Sequence, residues 1–205
     1  MVRTFFLPPQ DIDVPLNKIL SRSGIPGTSK PPEEIEEHLN RAIELVNSVA
    51  TPQAVYETVK CSWDGEKLHI LNKELKGKLI QQQMRDAEYA TLIAATIGHT
   101  VENLISTLME SEETLLSFLC DAYASELTEA FVRKLDEHMR NEMRKYGYVG
   151  GARISPGYMD LPLNLNTVIV QHLKATERIE LSVIPESGQL SPRKSVVAMI
   201  GWKRS

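Results

Sequence analysis

Cysteine is scarce in this chain of 205 residues: Cys61 and Cys120 stand far apart, with no metal-type spacing. They read as free thiols of a reducing compartment, and two such residues exclude a disulfide scaffold. The five histidines, His38, His69, His99, His138 and His172, are dispersed, and none forms H-x-x-x-H, H-E-x-x-H or a Cys/His pair. No protein-ligated metal is therefore expected. There is no G-x-S-x-G elbow, no G-x-x-x-x-G-K-[ST] phosphate loop and no G-x-G-x-x-G dinucleotide loop. No apolar run has the length needed to span a bilayer, and the first residues are too briefly apolar for a signal peptide. A cytoplasmic protein is expected. Net charge is −4 with a pI near 5.8, and basic residues are scattered. Neither nucleic acid nor an anionic membrane is recommended as a partner.

What is present is an ordinary globular composition, 42% hydrophobic and 24% charged, long enough to bury a core. Residues 1–32, rich in Pro, Gly and Ser, read as an extended arm with a short helical possibility at 16–21. Pro31-Pro32 opens a helix running to about Ala50, with Ile35, Leu39, Ala42, Val46 and Val49 on one stripe and acidic residues at its positive end. Residues 54–63 read as a strand, Trp63-Asp64-Gly65-Glu66 as a hairpin turn and 67–71 as the returning strand. A short helix is expected at 73–78 and a polar stretch at 81–88. The apolar run 89–97, ended by Gly98, reads as a buried strand, followed by a helix over 100–110.

Ser111 is a good N-cap for a helix reaching Lys145 and stopping at Gly147. Its apolar residues from Leu115 to Met143 recur every four positions, so the stripe winds around a long helix. Ala122, Ser125 and Glu129 fall on another face, either open to a loop or ligand or used in helix packing. A short helix over 165–173 and strands at 178–184 and 195–201 complete the reading. Strands and helices mix without regular βαβ spacing, which makes residues 1–205 one α+β domain.

The chemistry concentrates between Gly150 and Pro162, where three glycines and two prolines fall within thirteen residues. Such a stretch cannot continue a helix or sit inside a central strand. It carries Arg153, whose guanidinium fork suits a carboxylate or phosphate, and Tyr158, an aromatic with a polar tip. Gly98-His99-Thr100, at a strand-to-helix turn, is a second and weaker place for an anion.

Arg153-Ile154-Ser155-Pro156-Gly157-Tyr158 resembles the R-x-x-x-G-Y motif of the activation domain of cobalamin-dependent methionine synthase. The resemblance extends upstream to the small-residue-rich helix 121–130, ending in Glu129-Ala130. It extends downstream to Pro185-Glu186-Ser187 and Ser191-Pro192-Arg193-Lys194-Ser195-Val196, so the match covers roughly 91–202. It implies an α+β fold with a mainly antiparallel twisted sheet flanked by helices, and it implies a ligand, S-adenosylmethionine. Arg153 would take the methionyl carboxylate; backbone around Ser155, Pro156 and Gly157 and the ring of Tyr158 would hold the rest. Glu129 would meet amino or hydroxyl groups. The implied acceptor is cobalamin on another polypeptide, since nothing here resembles a corrinoid-binding D-x-H-x-x-G loop. A partner synthase lacking its own activation domain is expected. The chain departs from the pattern at Met159, where a Pro is common, and at 161–166; only Asp11 or Asp13 offers itself as the family's N-terminal acidic residue. A subunit that keeps the fold without the ligand, serving another corrinoid protein, is the alternative. An independent methyltransferase is disfavoured because no general base stands beside the loop.

Overall fold

The computed structural model describes residues 1–25 and 31–205. The N-terminal segment is more than an arm. Strand β1 (Arg3–Phe6) is hydrogen-bonded into the main sheet, and helix α1 (Leu16–Arg22) buries Ile19 and Leu20. Residues 26–30 of the expected arm lie outside the described residues. Helix α2 (Glu33–Val49) follows Pro32 and buries Leu39, Ala42 and Val46 of the expected stripe.

Strand β2 (Gln53–Lys60) leads into a small antiparallel sheet of β3 (Ser62–Trp63), β4 (Leu68–Ile70) and β5 (Lys73–Leu75). The turn between β3 and β4 falls where Trp63-Asp64-Gly65-Glu66 places it. The Asp64 carboxylate accepts the N–H groups of Glu66 (2.9 Å) and Lys67 (2.7 Å), and Gly65 takes a positive φ of 104°. The helix expected at 73–78 is instead strand β5, and helix α3 comes later, at Lys78–Gln83. Leu71 and Asn72 both adopt left-handed φ values (51° and 57°), which close a two-residue hairpin and return the chain against β4.

Strand β6 (Tyr89–Thr96) is buried along nearly its whole length, and helix α4 (Thr100–Glu110) follows. Ser111 does not start the next helix. Its N–H and hydroxyl both bond the Thr107 carbonyl, so it ends α4, and α5 (Thr114–Arg144) begins after Glu113. At 31 residues α5 is roughly 46 Å long. Leu119, Tyr123, Leu127, Phe131, Leu135 and Met139 are buried as expected, while Leu115 is exposed.

Strand β7 (Tyr148–Gly150), which periodicity does not reveal in three residues, precedes the loop. Helix α6 (Leu165–Leu173) matches its expected range. The strand expected at 178–184 is largely replaced by helix α7 (Ala175–Ile179) and a two-residue strand β8 (Ser182–Val183). Ile179 and Leu181 are still buried, but Glu180 at φ 54° turns the chain between them. Strands β9 (Leu190–Ser191) and β10 (Ser195–Arg204) complete the order.

The main sheet has strand order β1-β2-β6-β10-β7 with every neighbour antiparallel. Because side chains alternate along a strand, both faces need cover. Ile93, Ala95, Ala198, Ile200 and Trp202 pack towards α2, α4 and α5. Leu92, Ala94, Val197 and Met199 pack towards α3, α6 and α7. The result is the α+β architecture expected, an antiparallel sheet with helices on both faces.

Candidate functional site

After β7 the chain does not leave the sheet at once. The Gly151 N–H donates to the Gly201 carbonyl (2.9 Å), and Ile154 exchanges two hydrogen bonds with Met199 (2.9 and 2.8 Å). The loop therefore runs along the outer edge of β10, anchored by the buried Ile154 side chain. Its two leading glycines serve this close packing. A Cβ on Gly150 would lie 2.5 Å from the Trp202 ring, and one on Gly151 would lie 2.4 Å from the Gln83 carbonyl oxygen. Arg140 secures the same point from α5, donating to the carbonyls of Gly150 (3.0 Å) and Gly151 (2.8 Å), while the Gln83 amide oxygen accepts the Ala152 N–H (3.0 Å).

Further on, Gly157 at φ 83° closes a tight turn in which its N–H donates to Leu161 O (2.8 Å) and the Tyr158 N–H donates to Ser155 O (3.2 Å). Asp160 fastens the far end of the loop to the start of α3, accepting from the N–H groups of Lys78 (2.5 Å) and Leu79 (3.1 Å). Those donors hold its carboxyl below the usual carboxylate range.

Held at both ends, the loop directs Arg153 across the edge of the sheet to α5. Arg153 Nη2 donates to Glu129 Oε2 at 3.0 Å. The other terminal nitrogen, Nη1, is buried and has no hydrogen-bond partner among the described residues. The side chain as a whole is 22% exposed, between the loop and α5. One and two turns towards the N-terminus of α5, Ser125 and Asp121 hold Lys194, at 2.8 Å to Ser125 Oγ and 2.7 Å to Asp121 Oδ1. Asp121, Ser125 and Glu129 follow one another at four-residue intervals and so line one face of α5. That face meets the loop and the segment entering β10.

Of the residues singled out by sequence, Arg153 and Glu129 are brought into direct contact. Ser155 and Pro156 are half-buried in the loop, and Tyr158 is 65% exposed at its tip. The Gly157 N–H is spent on the loop's own turn. Ala122 belongs to the apolar core and not to the face that carries Ser125. Asp11 and Asp13 are exposed. Gly98-His99-Thr100 is a tight connection, with His99 bonded to Glu180 O (3.1 Å) and Thr100 to Val49 O (2.7 Å). Sequence reasoning did not single out Lys194, Asp121 or Arg140. The four-residue spacing from Asp121 was readable, but nothing in the sequence tied it to Lys194. Among the described residues no group of three or more His, Cys, Asp or Glu side chains could hold a metal, and no helix is long and apolar enough to cross a membrane.

An antiparallel five-stranded sheet, helices on both faces, and an Arg-bearing loop laid along an edge define an α+β class of known architecture. The chain is similar in structure to the crystal structure of the MetH reactivation domain bound to AdoHcy, with a TM-score of 0.75 over 98% of this chain and 78% of that one. Sequence identity is 15%, so the likeness is one of fold. No protein-family model matches the chain, and no curated protein matches it in sequence.

Proposed function

We propose that this protein binds S-adenosylmethionine and supports reductive methylation of cobalamin carried by a separate cobalamin-dependent methionine synthase that lacks its own activation domain. The observation that carries the reading is Arg153. A buried guanidinium nitrogen without a partner costs free energy unless a ligand satisfies it. A carboxylate would match Nη1 by charge. Glu129, 3.0 Å from the neighbouring Nη2, would then receive the adjacent ammonium, which suits an α-amino acid end. The exposed ring of Tyr158 would cover the adenosyl part, with Ser155, Pro156 and Gly157 shaping the loop beneath it. The fold's likeness to a domain solved with AdoHcy supports the same ligand class.

S-adenosylmethionine brings an already activated methyl group, so the tasks left to this chain are binding and aim. On this reading the methyl acceptor is brought by the partner. The test mixes the protein with such a synthase, a reductant and S-adenosylmethionine and follows the conversion of inactive cob(II)alamin to methylcobalamin by absorption. Methylcobalamin formation that depends on this protein supports the reading. Normal ligand binding without methylcobalamin would remove methionine synthase as the partner.

A second reading is a non-catalytic subunit of another corrinoid protein. It is favoured by the fact that Glu129 already occupies Arg153 and the Gly157 N–H is already used. Calorimetry separates the two readings, since this subunit would bind no S-adenosylmethionine.

A further inference from the structure

Where β2 and β10 end and β6 and β7 begin, the end of the main sheet carries a cavity of about 560 Å³. Its lining includes Lys60, Trp63, Glu88, Tyr89, Tyr148 and Arg204, none of which takes part in the Arg153 site. One wall is built in advance. The Glu88 backbone is fixed on both sides, its N–H donating to the Trp202 carbonyl (2.9 Å) and its carbonyl accepting the Cys61 N–H (3.0 Å). The Glu88 carboxylate accepts the Tyr148 hydroxyl at 2.9 Å. The Tyr148 ring meets the Tyr89 ring edge-on, with centroids 5.3 Å apart, and the Arg204 guanidinium lies over the Tyr148 ring at 5.8 Å. A row of stacked side chains pinned by a hydrogen bond loses little further freedom when a ligand packs against it.

The groups left unspent give the character of that ligand. Among the described residues, the Lys60 ammonium, the Trp63 indole N–H and the Tyr89 hydroxyl have no hydrogen-bond or ion-pair partner. The lining carboxylates are engaged: Glu88 Oε2 by Tyr148 and by Arg204 Nε at 3.8 Å, and Asp86 Oδ2 by Arg85 Nε at 3.6 Å. The unmatched charge is therefore positive, which disfavours a quaternary ammonium among the aromatic rings and favours an anion. Aromatic surface beside a free cation and two free polar groups suits a planar ring that carries negative charge.

We propose that this cavity binds a planar aromatic ring bearing a carboxylate or a phosphate, with the ring packed on Trp63 and Tyr89 and the anionic group on Lys60. The proposal stands independently of the ligand assigned to Arg153.

Naphthoate and uridine monophosphate are the probes for the two sources of such an anion, with naphthamide and uridine as their uncharged counterparts. Titration calorimetry is expected to show at least one of the anions binding, several-fold tighter than its counterpart. Naphthoate alone would assign a carboxylate, and uridine monophosphate alone a nucleotide. Trp63→Ala should weaken binding by about tenfold or more, the scale of a lost stacking surface, and Lys60→Gln should weaken it several-fold. Of the two tryptophan indole N–H resonances, that of Trp63 should shift on binding, while that of Trp202, bonded to Thr91 Oγ1 at 2.7 Å, should not. Lys60 is exposed, so Lys60→Gln carries the test if Trp63→Ala alters the circular dichroism spectrum. The proposal is overturned if neither anion binds, if the uncharged counterparts bind equally well, or if Lys60→Gln keeps wild-type affinity. Loss of probe binding in Arg153→Ala would place the probe at the other site and overturn it too.

Discussion

Arg153 and Glu129, 24 residues apart in sequence, meet at 3.0 Å across the edge of the main sheet, and among the described residues only one of the two terminal nitrogens of the guanidinium has a partner. The pair is only partly shielded, with Glu129 43% exposed, so its own contribution to stability is small. On the proposed function, the pair holds Arg153 for the ligand. Arg153→Ala should weaken S-adenosylmethionine binding by about 2–3 kcal/mol, the scale of a lost charge-assisted pair, with little change in melting temperature. Arg153→Lys should restore part of it, because an ammonium cannot reproduce the fork. Unchanged affinity by calorimetry in the Ala variant would take Arg153 out of the site.

The position of the loop depends on Gly150 and Gly151, which pack closely against Trp202 and Gln83. Gly151→Ala would place a methyl group 2.4 Å from the Gln83 carbonyl oxygen, a backbone atom that cannot swing away. The expected cost is about 1–3 kcal/mol of unfolding free energy, read by urea denaturation. Ligand affinity should fall as well, since the strap that orients Arg153 must shift. An Ala variant as stable as wild type would show that the packing at this point is looser than described.

Asp160 makes the loop's grip on α3 dependent on pH. Its carboxyl lies below the ordinary value of 3.8 because it accepts the Leu79 and Lys78 N–H groups. A depressed carboxyl contributes stability that is present above the ordinary value and is lost as pH falls through the folded one. Asp160→Asn should therefore lower the melting temperature at neutral pH, and the difference from wild type should shrink as the solution is taken below about 3.8. A difference that stays constant through this range would separate the effect from ionisation.

Burial pushes the Cys61 thiol up to about 12 and the Cys120 thiol up to about 11. Both side chains are buried and unbridged. A thiol reagent at about pH 8 should leave both unmodified in the native protein and modify both after unfolding, because the thiolate is the reactive form. Fast reaction of either cysteine in the folded state would contradict its burial.

Much of this protein is set by local pattern. Helices α4 and α6, the buried strand β6, the Asp64-Gly65 turn and the winding stripe of α5 all follow from apolar period and turn chemistry acting within a few residues of chain. The loop was legible for the same reason, since clustered Gly and Pro exclude regular structure whatever surrounds them. The left-handed Leu71-Asn72 turn that made β5 a strand and the Ser111 bonds to Thr107 that moved the α5 start to Thr114 are local choices that the residue pattern did not distinguish. The meeting of Arg153 with Glu129 and of Lys194 with Asp121 and Ser125 was decided instead by neighbours distant in sequence. Charge pairing across a fold depends on which edge of β10 the loop follows and which face of α5 looks at it. The residue types in the sequence state what could pair; the sheet order and the glycine contacts at Gly150 and Gly151 determine what does.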